Sequence, residues 1–182
     1  MAHGICLGSC RLNMEAESEM LNLAGQTLTR AGFVKISLKN HLCLLALRKG
    51  CGSNYHLGTL VRTVFESFFL AQSGYGTTDL SVYPEVGEKL ARFTASCTKG
   101  KLRKLSVEAS RVVGALLAIY DRQLEHAPLG LLVSAHDRAE ENFSAAPSER
   151  KSLNTLVTME QVRRMYESKR SPSQSTGMFT MW

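Results

Sequence analysis

The sequence predicts an all-α protein: a compact orthogonal or up-down bundle of about five to six helices with a polar C-terminal tail. Three observations predict it. Apolar side chains recur every three to four residues from the fourth decade of the numbering to the fourteenth, which is the period of a helix with one buried face. The four prolines fall near segment ends, where a helical chain tolerates them. No segment alternates apolar and polar residues as a half-buried strand does, and Phe33 to Ile36 is the one short extended candidate.

Taken in order, Met1 to Asn13 carries no period and reads as a flexible leader or an upstream start. Met14 to Arg30 reads as an amphipathic helix, with Glu15, Glu17 and Glu19 near its N-terminus, Met20, Leu21, Ala24 and Leu28 on one side, and Gly32 as its stop. Ser37 then caps a helix from Leu38 to Lys49 whose residues Leu38, Leu42, Leu45 and Ala46 share a face. Leu44 and Leu47 widen that face, so the helix is expected to be buried on most sides. After a turn at Gly50 to Ser53, Asn54 to Gln72 places Leu57, Leu60, Val61, Val64, Phe65, Phe68 and Phe69 at helical spacing, which makes it the expected centre of the core.

Gly74-Tyr75-Gly76 ends that segment, and Pro84 opens the next, which runs to Cys97 with Val86, Leu90 and Phe93 inward. A basic loop follows to Lys104. Ser106 caps a helix to His126, with Glu108 in its first turn and Val112, Val113, Leu116, Leu117, Tyr120 and Leu124 on one face. Pro128 opens another to Phe143, with Leu129, Leu132, Val133 and Phe143 inward. From Ser144 hydrophobic density falls. Ala145 to Ser148 reads as a linker, and Thr158-Met159-Glu160-Gln161 as the capping box of a short basic helix to Lys169. The expected organisation is a leader over 1–13, a helical bundle domain over 14–144, and a linker, short basic helix and tail over 145–182.

Composition narrows the chemistry. No apolar run approaches the roughly 18 residues a membrane span needs, and the N-terminus lacks the charged-then-apolar layout of a secretory signal, so a cytoplasmic protein with no membrane partner is expected. Five cysteines at irregular spacing form no disulfide framework and read as reduced thiols. His41, Cys43, Cys51 and His56 are close in sequence, but His41 and Cys43 are two apart and point to different sides of a helix, so no metal is expected. No nucleophile elbow and no phosphate loop is present: the Gly50-Cys51-Gly52 turn lacks a Walker lysine. His136 reads as a hydrogen-bonded core or boundary histidine, and Asp121, Arg122 and Glu125 as a solvated face. No catalytic residue, enzyme activity or cofactor is therefore expected.

Two features remain as candidate contacts. The net charge of +6 favours acidic partners without naming one. Lys99, Lys101, Arg103 and Lys104 stand just ahead of the helix that Ser106 caps, where they would meet a phosphate, and Arg163 and Arg164 would reinforce them. Met178, Phe179 and Trp182 form an apolar end that would anchor in a protein partner's groove.

Several stretches carry a resemblance: Ser37 to Leu42 into Leu45 to Gly50, Ala71-Gln72-Ser73-Gly74-Tyr75-Gly76, and Tyr120-Asp121-Arg122-Gln123-Leu124 followed by Ala127-Pro128-Leu129. Over about Ile36 to Phe143 the chain resembles small proteobacterial proteins of plasmids, phages and accessory regions that are often labelled Fis family transcriptional regulators. The resemblance implies a helical fold and a mobile-element setting, and brings no activity or catalytic residue with it. The expectation is a non-enzymatic partner-binding protein of a mobile element, an inhibitor, adaptor or regulator acting through a helical surface. The alternative is a DNA-binding transcriptional regulator that uses the basic loop and the basic C-terminal helix.

Overall fold

A chain so rich in helical periods must bury several amphipathic faces against one another, and the computed structural model shows how it does so. It describes residues 25–76, 79–97 and 104–170, with the side chains of 168–170 excepted. Within them lie six helices: α1 (Arg30–Lys49), α2 (Asn54–Gln72), α3 (Val82–Ser96), α4 (Val107–His126), α5 (Leu129–Ser144) and α6 (Leu153–Arg170). The fold is all-α. The extended pairing among the described residues is a single bridge between Thr27 and Pro128.

The N-terminal half departs from the sequence reading. Of the helix expected over Met14 to Arg30, residues 14–24 lie outside the described residues, and 25–29 are not helical. Arg30 opens α1 instead. Thr29 is its cap, with extended backbone and a side-chain oxygen that accepts from the Gly32 amide at 3.2 Å. That bond satisfies a first-turn donor, and one good cap offsets the roughly 1 kcal/mol that a helical glycine costs. Gly32 is thus a first-turn residue rather than a stop, Ser37 is interior, and Phe33 to Ile36 is helical. At the other end Gly50 takes a left-handed φ of 80°, and the Cys51 amide returns to the Ala46 carbonyl at 3.1 Å.

Helix α2 is the centre of the structure, as its phenylalanines predict. It touches α1, α3, α4 and α5. Phe68 is fully buried, edge-on to Phe69 and to Tyr83 of α3, while Phe65 meets Phe143 of α5 in the same manner. Helix α4 starts where Ser106 was expected to cap it, accepting from the Ala109 amide at 3.1 Å. Its leading residue Leu105 is buried and donates its amide to the Leu47 carbonyl at 3.0 Å, which joins the start of α4 to the end of α1. On α5 the buried positions are Ala135 and Ala139, whose small side chains let its backbone lie close to α2. Val133, expected inward, is exposed for that reason: the small-residue stripe took the inner face.

The C-terminal helix is longer than the capping box implied. Ser152 supplies its cap, accepting from the Thr155 amide at 3.2 Å, and Thr158 is interior, donating to the Asn154 carbonyl at 2.9 Å. Leu153, Val157 and Glu160 are buried where α6 meets α3.

Being enclosed by four helices, α2 must satisfy its polar side chains inside the core. Ser67 donates to Gln123 Oε1 at 2.7 Å, Gln123 Nε2 returns to the Ser67 carbonyl at 3.0 Å and to the Tyr75 carbonyl at 2.8 Å, and the Tyr83 hydroxyl donates to the Ser67 carbonyl at 3.1 Å. One amide thereby joins α2, α4 and the turn after α2. Gly76 fits against it at φ 97°, with the position a Cβ would take only 2.7 Å from Gln123 Nε2. Replacing Gln123 with leucine leaves buried polar groups without partners and is expected to cost about 1–3 kcal/mol in urea unfolding. Gly76→Ala, strained in both backbone and space, is expected to destabilise as well. A neutral result for both in the same assay would contradict this account of the network.

Candidate interaction surface and interior cleft

The geometry of α1 sets two features back to back. Its inner side buries Asn40, Cys43 and Leu47. Its outer side carries Val34, Leu38, Leu42 and Leu45, which are 45, 55, 52 and 46% exposed. These four recur at helical spacing and form one aliphatic stripe. The sequence reading turned Leu38, Leu42 and Leu45 inward; the structure turns them out. The reason is a competition between two stripes on a helix with apolar residues all round: the side bearing Cys43, Leu44 and Leu47 meets α2 and α4, and only one side can. The stripe continues towards Val107 at the start of α4, with a groove between them lined by Leu44, Leu45, Arg48, Val107 and Arg111. His41 ties α1 to α4 through Asp121, Nε2 to Oδ2 at 2.9 Å.

Cations gather at the same end. Arg48 and Lys49 occupy the last turn of α1, Arg111 lines the groove, and Lys104 sits exposed beside Gly50. Lys99, Lys101 and Arg103 lie outside the described residues, as do Met178, Phe179 and Trp182. Arg163 and Arg164 are on α6, where both reach Glu160 Oε1, at 2.8 and 2.9 Å. The Glu160 carboxylate also accepts from Gln72 Nε2 at 2.7 Å, which clasps α6 to the end of α2. These two arginines therefore neutralise a buried acid.

Burial alone would raise the Glu160 carboxyl, but the bonds from Arg163, Gln72 and Arg164 together outweigh it and hold it below its ordinary value. A carboxyl held lower in the folded than in the unfolded chain adds stability above its ordinary titration range and loses it as the pH falls through the folded value. Acidification is expected to loosen α6 before the rest of the bundle, seen as early loss of amide-exchange protection in 153–167. Glu160→Gln is expected to bring the same loosening at neutral pH, by about 1–3 kcal/mol.

On the other side of α1, a cleft of about 350 Å³ opens between α1, α2, α4 and α5. Glu66 of α2 lies in it, with Oε2 accepting from the Tyr120 hydroxyl at 2.6 Å and Oε1 facing His136 Nδ1 at 2.7 Å. Burial first, and then the Glu66 carboxylate, pushes the Tyr120 hydroxyl well above its ordinary value, so it stays a donor. His136, read as a core or boundary histidine, is half exposed and hydrogen-bonded, in keeping with the boundary reading. Asn40 lines the same cleft, 2% exposed, and its Oδ1 has no hydrogen-bond partner among the described residues. Neither Asn40 nor Glu66 drew notice in the sequence. The signal was present in Phe65-Glu66-Ser67-Phe68: polar residues inside a run buried on all sides must find partners.

The thiols and histidines near the α1–α2 turn do not converge. His41 holds Asp121, His56 Nδ1 accepts from the Ser53 amide at 3.0 Å, and Cys51 is exposed. No group of three potential metal ligands forms among the described residues. Cys43 is buried, and that burial raises its thiol above the ordinary value. Brief treatment of the native protein with iodoacetamide is expected to alkylate Cys51 well before Cys43, as peptide mass spectrometry would show; equal labelling would mean that α1 opens readily.

Among the described residues no helix is long and apolar enough to cross a membrane. Comparison with known protein families, with curated proteins and with solved structures gave no match.

Proposed function

We propose that the protein is a non-enzymatic partner-binding protein of a mobile genetic element, an inhibitor, adaptor or regulator, and that the outer face of α1 is its binding surface. The carrying observation is the aliphatic stripe Val34, Leu38, Leu42 and Leu45, left about half exposed on one well-formed helix. Single exposed aliphatics are ordinary on a protein surface, whereas a contiguous row marks a contact. Burying the exposed halves would yield about 1 kcal/mol for each side chain. From Val34 to Leu45 the stripe runs about 17 Å along the helix, with the spacing by which a protein groove engages helical anchors. The cations beside the stripe, Arg48, Lys49, Lys104 and Arg111, favour a partner whose rim is acidic. The apolar end Met178, Phe179 and Trp182 is a second anchor in this reading.

The stripe is solvent-facing, so Leu38→Asp with Leu42→Asp should keep the fold. The double variant is expected to melt as the parent does and to lose a protein that the parent enriches in affinity capture from the host, read by mass spectrometry. Identical capture by both would remove α1 from the reading.

The gathering of Arg48, Lys49, Lys104 and Arg111 favours a second reading, contact with duplex DNA, to which Lys99, Lys101 and Arg103, which precede Lys104 in the sequence, would add. Arg163 and Arg164 support it less, being paired to Glu160. It predicts binding that falls steeply with salt and weakens in Arg48→Glu with Arg111→Glu; absence of a mobility shift at low salt ends it.

A further inference from the structure

The cleft behind α1 has a chemistry of its own. It is walled by aliphatic side chains, Leu28, Ile36, Leu124 and Leu132 among them, and its volume of about 350 Å³ lies within the range of small-molecule sites. Its polar floor presents free acceptor capacity at Asn40 and Glu66. Asn40 Oδ1 is buried and unpartnered among the described residues, which costs stability unless something donates to it. Glu66 presents two carboxylate oxygens, each with a lone pair beyond the one that meets Tyr120 or His136. Two of the donors that line the floor are already spent: the Tyr120 hydroxyl on Glu66, and the Thr63 hydroxyl on the Thr59 carbonyl at 3.0 Å. At the mouth Arg62 is paired with Glu140, and Lys39 is exposed, where solvent screens its charge.

We infer that this cleft binds a small amine with an apolar body, its nitrogen donating to Asn40 Oδ1 and Glu66 and its hydrocarbon lying against the leucine wall. An apolar molecule without a donor would leave Asn40 unsatisfied, and an acid would face the Glu66 carboxylate. A lone water would satisfy Asn40 but leave the aliphatic wall wet.

Isothermal titration of the full chain with phenethylamine and with phenylacetate, which share a ring and nearly a length, tests the inference. Phenethylamine is expected to saturate one site at least ten-fold more tightly than phenylacetate. Leu132→Trp, which fills the cleft from its apolar side, is expected to abolish that binding, and Asn40→Leu to weaken it about ten-fold. Should Asn40→Leu fail to fold by circular dichroism, Leu132→Trp decides alone. No saturable heat with phenethylamine, equal affinity for the two probes, or unchanged affinity in a folded variant would overturn the inference.

Discussion

The structure depends on the enclosure of the C-terminal half of one helix. With α1, α3, α4 and α5 around it, α2 is buried without a break from Thr63 to Ala71, so the polar groups it carries there must be answered by a neighbour. Ser67 is answered by Gln123 and Tyr83, Glu66 by Tyr120 and His136, and Thr63 by its own helix. The phenylalanines and the leucines around them supply the apolar burial, but burial alone would let the helices rotate against one another. The polar bonds fix which residues of α3, α4 and α5 face the centre, and so help to set the register of the bundle.

That division explains what the residues disclosed before any coordinates. The composition of α2, α3 and α4 has a single apolar face or a uniformly apolar one, so their existence and most inward residues followed from period and the start of α4 from capping chemistry; α3 begins at Val82, two residues ahead of the Pro84 expected to open it, and buries Tyr83. For α1 the period was ambiguous, because leucines lie on every side; choosing between two stripes requires knowing what stands opposite, and Asn40 with Cys43 and Leu47 won over Leu38 with Leu42 and Leu45. The start of α1 was hidden by Gly32, which weighs against a helix locally but sits in the first turn of one that Thr29 caps. The start of α6 was hidden likewise by a plausible capping box inside the helix.

The candidate sites were less legible than the fold. Charge is visible in a sequence, but whether a cation is spent is not: Arg163 and Arg164 look like a basic patch until Glu160 appears between them and α2. The converse holds for the cleft. Asn40 and Glu66 are ordinary residues singly, separated along the chain from Tyr120 and His136, and only the packing of four helices gathers them. No spacing rule could have found them, since each comes from a different helix.

The bridge at Thr27 has a consequence for how the chain is handled. The Leu129 amide donates to the Gln26 carbonyl at 2.6 Å, so the strand of chain leading into α1 is moored to the corner between α4 and α5. Leu28 and Leu129, one on each side of that mooring, both border the opening of the interior cleft. A purification handle or a reporter dye joined directly to Gly25 would therefore be tethered within a few residues' reach of that doorway, and its bulk and charge would become part of the local solvent there.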